Sequence, residues 1–339
     1  MNEYILKMMG LQLFADNLNT NVTTDSGLSV ENKTFYDRAL LESAKPNLVH
    51  GQFGQKRPIP KNGGKKIEFR RYGVLPKALT PLTEGVTPDG RKLSVSAIEA
   101  EVKQYGDYVA LSDVLEMTAI DNNVLEATKA IGNQAGLTLD TVTRNIMQTG
   151  TNVYYCPKVG LNGSKTEVTS REDLDATCKL TVDAIKKVTA ILKAANAPKI
   201  NGDYVAIIHP YAAYDLMSDP KWEDWHKYTT SDNLYSGEIG RIAGVRFVET
   251  SEAQIVAETS KPAVFCTLIL GENAYGITEV TGGGLKTIIK QLGSAGTADP
   301  LDQRSTVGWK AMQTAEILQE PYMVRVESCG EFSGTAKAN

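Results

Sequence analysis

Residues 65–93 read KKIEFRRYGVLPKALTPLTEGVTPDGRKL, and how this stretch is held decides the fold. Up to Gly73 it alternates apolar and charged side chains, the pattern of a strand with one sheltered face. Beyond Gly73, Pro76, Pro81 and Pro88 mix with Gly85 and Gly90, so no regular element can persist. The pattern then returns in KLSVSAIEAEVKQYGDYVAL, residues 92–111, as a longer strand-like run. Two strands around a proline-broken tip describe a long hairpin over 55–103. At roughly 3.3 Å per residue, each arm can reach tens of ångströms from the body. A lone hairpin cannot bury Ile67, Phe69, Val74, Leu75, Leu79 and Leu82, so it needs a partner surface.

Charge points the same way. From Gln55 to Leu93 there are ten Lys or Arg and three Asp or Glu, a net +7. The whole chain carries −4, which leaves −11 for the remainder. Phosphate binding needs clustered cations, and Lys65, Lys66, Arg70 and Arg71 would serve. The reading adopted instead lays the basic arm, with Lys65, Lys66, Phe69, Arg70, Arg71, Leu75, Lys77, Leu79 and Leu82, over the acidic body of a neighbouring copy. Complementary patches of this kind orient assembly.

Outside the hairpin the chain reads as α+β. SVENKTFYDRALLESA is helical, and a helix start at Ser112 leads to a long helix over 121–148. Ile131, Ala135, Leu139, Val142 and Ile146 fall on one face of it. From about 172 the pattern becomes α/β. An amphipathic helix stops near Pro198, YVAIIHP is a buried strand, and further strands follow to YMVRVES.

In GEIGRIAGVRFVET, residues 237–250, Gly237, Gly240 and Gly244 precede a β-branched and aromatic run. A phosphate loop needs a strand, then glycines, then a helix whose amino end faces the anion. Here the glycines precede a strand, so the stretch is a structural turn and a nucleotide-dependent enzyme is the disfavoured alternative. His50, His209 and His226 form no metal-ligand spacing, and no serine sits in a nucleophile elbow. No catalytic, cofactor or metal site is therefore expected. Cys156, Cys178, Cys266 and Cys329 stand far apart and read as reduced thiols. No stretch approaches the roughly 20 apolar residues of a membrane span.

Taken in order, several segments resemble the major capsid proteins of tailed bacteriophages. They are FYDRALLESAKPNLVHGQFGQKRPIPKNGGKKIEFRRYG, TPLTEGVTPDG, QYGDYVALSD, LDTVTRNIM, GEIGRIAGVRFVET and DPLDQRSTVGWKAMQTAEIL. The resemblance is to the Hong Kong 97-type fold and, more narrowly, to the family typified by coliphage N-four. It implies an N-terminal arm over 1–54, an extended loop over 55–103 and a peripheral domain over 104–171 with the spine helix. It further implies an axial α/β domain over 172–301, and return strands of the peripheral domain with a tail over 302–339. The implied function is structural. Copies assemble into pentamers and hexamers of an icosahedral head around phage double-stranded DNA, which is bound without sequence preference. A separate scaffold and a portal protein are implied partners, with assembly in the host cytoplasm and the virion as destination. The same fold leaves a nanocompartment shell as the alternative.

Overall fold

The computed structural model describes residues 20–21, 49–73, 75–82, 84–87, 89–118, 123–160, 162–222, 238–258, 261–294, 296 and 299–339. The helix expected near residue 35, Gly237 and His226 lie outside them. The chain forms two compact units. One includes Gly106–Asn133 and Lys286–Lys310, the other Ala44–Tyr105, Gln134–Leu285 and Ala311–Asn339.

The larger unit is organised by a seven-stranded sheet in the order Glu238–Ile242, Val245–Glu249, Tyr204–Ile208, Val264–Leu270, Met323–Ser328, Val153–Tyr155, with Ile255–Val256 paired to Val264–Leu270. Tyr204–Ile208 and Val264–Leu270 are buried at every position, which is why the first is wholly apolar and the second is broken only by Thr267. Their side chains alternate between two cores. Ala206, Ile208, Phe265 and Ile269 join Ile185, Val188 and Leu192 of the helix Val182–Ala194. Ile207, Leu268 and Leu270 face the other way, onto Met147, Tyr275 and Ile277. That helix starts at Thr181, whose side chain accepts from Ala184 N, and a second helix, Pro210–Met217, starts at His209.

Also in this unit, Tyr275–Glu279 pairs antiparallel with residues 313–317 and parallel with Gln55–Lys56. In the smaller unit, Lys286–Lys290 pairs antiparallel with residues 306–310, and Thr20–Asn21 runs parallel to Ala110–Leu111. Ser112 opens the helix Asp113–Thr118 by accepting from Leu115 N at 3.2 Å.

The spine helix is Asn123–Met147, 25 residues and therefore about 37 Å long at 1.5 Å per residue. Ile131, Ala135 and Leu139 are buried as expected, whereas Val142 and Ile146 are only half-buried. The buried face turns instead through Thr128, Asp140, Thr143 and Arg144. Thr128 and Thr143 satisfy their hydroxyls on the carbonyls of Val124 and Leu139.

Each large sheet gathers strands from distant parts of the chain. Met323–Ser328 does not return to the sheet of Arg304–Ile317; it pairs with Val264–Leu270. Val153–Tyr155, placed by the sequence in the peripheral domain, is the edge strand beside it. Conversely Tyr275–Glu279 and Lys286–Lys290, placed in the axial domain, pair with Arg304–Ile317. The reason is burial: five of six residues in Met323–Ser328 are buried, so the strand needs cover on both faces.

The glycine stretch also differs in detail. Glu238–Ile242 is itself a strand, joined to Val245–Glu249 by the two-residue turn Ala243–Gly244. Both turn residues have positive φ, 55° and 79°, which matches the right-handed twist of the flanking strands. Gly240 (φ 146°) sits where the register shifts by a bulge, so it shapes a strand rather than a turn.

Candidate functional site

The hairpin is Lys66–Tyr72 paired antiparallel with Val95–Glu101, in a register that sets Phe69 opposite Ile98 and Ile67 opposite Ala100. These four share one face by the two-residue strand period. At the base that face is not free. Phe69 is only 5% exposed and packs with Ala100 and Leu318, with Ile67 and Ile98 against them. Room for its ring comes from Gly276, where a Cβ would stand 3.1 Å from Phe69 Cζ. Phe69 is therefore packed largely by its own chain.

The tip is different. Between Gly73 and Ser94 the described residues form no strand or helix, and Gly73 N donates to Ser94 O at 2.8 Å as the last rung. Leu79 and Leu82 are 82% and 77% exposed, and Leu75, Val86 and Leu93 are exposed as well. Lys77 lies among them, also exposed. Hydrophobic side chains in this number along one strap are rare on a surface that stays in water.

The opposite face of the hairpin carries its charge. Lys66 Nζ lies 3.1 Å from Glu99 Oε2, and that carboxylate holds the lysine above its ordinary pKa. Arg70 Nε lies 3.2 Å from Glu68 Oε1. Arg71 turns to the body, where Nη1 donates to Gln319 Oε1 at 3.1 Å. Lys65 is exposed, and its carbonyl accepts from Val102 N. The structure thus places Lys66, Phe69, Arg70 and Arg71 on the first hairpin strand and Lys65 just ahead of it. Leu75, Lys77, Leu79 and Leu82 share the tip. The seat formed by Leu318, Gln319 and Gly276 was not foreseen, although a glycine inside an apolar strand commonly marks such a close approach.

Elsewhere the chemistry is absorbed by structure. A cleft of about 370 Å³ is lined by Asp140, Glu279, Lys56 and Arg57 among others. Both Asp140 oxygens are already taken, accepting from His50 N at 2.7 Å and meeting His50 Nδ1 at 2.6 Å. His209 Nδ1 accepts from Tyr211 N at 3.1 Å as a helix cap. The four cysteines are free and buried, and burial pushes the Cys266 and Cys329 thiols up to about 12. The Ala243–Gly244 turn leads into a strand and not into a helix, unlike a phosphate loop. Among the described residues, no group of three or more His, Cys, Asp or Glu could hold a metal ion. Nor is any described helix long and apolar enough to cross a membrane.

The architecture has counterparts among solved phage heads. The capsid of cyanophage P-SCSP1u superposes with a TM-score of 0.61 at 15% identity, covering 96% of this chain and 95% of that one. The capsid of cyanophage Pam1 gives 0.62 at 12% identity over 92% and 99%. That of Ralstonia phage GP4 gives 0.59 at 13% identity over 82% and 87%. At these identities the likeness establishes the shared Hong Kong 97-type fold. No curated protein matches the sequence. A family model described as phage capsid protein matches residues 96–324, from the second hairpin strand to the first residues of Met323–Ser328. With two-thirds of its length covered by that model, and an arm ending in unsheltered leucines, the chain belongs to the phage capsid protein family.

Proposed function

We propose that this head-shell protein closes its shell by laying the tip of the hairpin across an adjacent copy. One observation carries the reading: a strap whose base is packed by its own chain and whose tip exposes Leu75, Leu79, Leu82, Val86 and Leu93. Burying a leucine contributes about 1.5–3 kcal/mol. The tip alone can therefore supply a contact of several kcal/mol once a neighbour covers it. A contact that joins one surface of a copy to a different surface of the next is heterologous, and closes into rings when the rotation allows. Each copy meets several others, so moderate contacts add up to a stable particle.

The same reading assigns residues before the hairpin to an arm, and takes a separate scaffold, a portal and packaged double-stranded DNA as partners, with assembly in the host cytoplasm. The stretches GEIGRIAGVRFVET and DPLDQRSTVGWKAMQTAEIL support a place in the family typified by coliphage N-four. The test is to replace residues 73–94 with an Asn-Gly turn, which suits a two-residue hairpin and leaves Phe69 in its seat. The shortened chain is expected to fold and to form no shells in electron micrographs. Shells of normal size and yield from it contradict the reading.

A further inference from the structure

We propose that the cleft at the base of the hairpin is a carboxylate seat that receives an acidic segment of a second copy. The inference rests on the reading that the hairpin lies against a neighbour, and gives that contact its chemistry. The cleft has a volume of about 120 Å³. Arg57, Arg70 and Arg71 line it, with Gln319 beside them and Phe69 and Leu318 as apolar floor. All three arginines are exposed.

Their existing partners leave most of their donors unused. Each guanidinium offers five N–H groups. Arg71 spends one on Gln319, which holds its plane in the cleft. Arg70 meets Glu68 through Nε only. Arg57 has no side-chain partner among the described residues, and its backbone N–H is fixed on Ile277 O at 3.0 Å. Arg57 and Arg71 line the concavity without a carboxylate partner among the described residues, so an anion that enters meets both. Arginine is the residue suited to gripping a carboxylate by two parallel hydrogen bonds.

The floor selects the kind of anion. Phe69 and Leu318 favour a carboxylate on an aliphatic stem, as Glu or Asp in a peptide presents it, over a hydrated phosphate backbone. The copies themselves carry the complement, since outside Gln55–Leu93 the chain has a net charge of −11. An exposed pair contributes little alone, whereas several forked contacts around a partly sheltered carboxylate contribute more.

Two full-length variants test this. Arg57→Glu with Arg71→Glu reverses the rim and leaves the tip intact, and circular dichroism checks that the monomer still folds. Its half-assembly concentration is expected to rise roughly tenfold at low salt, with the gap closing as salt rises. Separately, Arg57→Lys with Arg71→Lys keeps the charge and supplies amines. Shells built from isotope-labelled and unlabelled chains of this variant are treated with a carbodiimide. Mass spectrometry is expected to find amide links from position 57 or 71 to an Asp or Glu of the differently labelled copy.

Links confined to one copy overturn the proposal, as does a charge-reversed chain that assembles at the wild-type concentration. Wild-type assembly of that chain with loss of packaged DNA also overturns it, because the cleft then serves nucleic acid. Should the tip replacement abolish shells while charge reversal leaves assembly unchanged, the seat falls and the hairpin reading stands. Normal shells from the tip replacement remove both.

Discussion

Two histidines define what single residues contribute. His50 is fully buried, and its backbone N–H and ring both meet Asp140, while Tyr275 OH donates to its carbonyl. The bonds join the chain just ahead of the hairpin to the spine helix, 90 residues away. Asp140→Ala strands these groups in the core, and unfolding by denaturant is expected to show a loss of about 3 kcal/mol. His209 caps the helix Pro210–Met217, and burial pushes its pKa below the ordinary 6.5. The unfolded chain takes up the proton first, so stability falls as pH drops through 6.5 and continues to fall down to the lower folded value. Asn caps equally well without titrating. The stability difference between about pH 7 and about pH 5 is therefore expected to shrink in His209→Asn, as thermal unfolding at the two pH values would register.

At the scale of elements, the turn between Glu238–Ile242 and Val245–Glu249 holds an avoidable cost. Ala243 has φ 55°, where a side chain of L configuration costs about 1–2 kcal/mol, and asparagine tolerates that region better. Ala243→Asn is expected to raise the unfolding midpoint with no change in assembly, and a lowered midpoint would contradict the turn assignment. Much of the element order was legible. The period of Ile131, Ala135 and Leu139 announced the spine, and an unbroken apolar run announced Tyr204–Ile208 as a buried strand. What was not legible was pairing over distance. The burial of Asp140 and Arg144 could not be read, because their partners, His50 and the carbonyls of Glu252 and Asn339, lie far away in sequence. The return of Met323–Ser328 to the seven-stranded sheet was hidden for the same reason. A strand records how many of its faces are buried, not which strand it lies beside. In the candidate site, Phe69 and Leu79 have the same apolar character, and only Leu318 and Gly276, more than 200 residues on, distinguish the sheltered one from the unsheltered one.

In the whole molecule, labour is divided within one hairpin. Its base is anchored on the body through Phe69, Leu318 and the Arg71–Gln319 bond, and its tip stands exposed. The fold belongs to a family of shell proteins, and the charge partition of +7 against −11 gives copies a reason to attract. On the proposed reading, the exposed tip is covered once copies assemble. Hydrogen exchange at residues 75–93, followed in the monomer and in the assembled shell, tests this most directly. Exchange is expected to be fast in the monomer and strongly slowed in the shell, with the base strands Lys66–Tyr72 and Val95–Glu101 protected in both. Equal exchange of the tip in monomer and shell would contradict it.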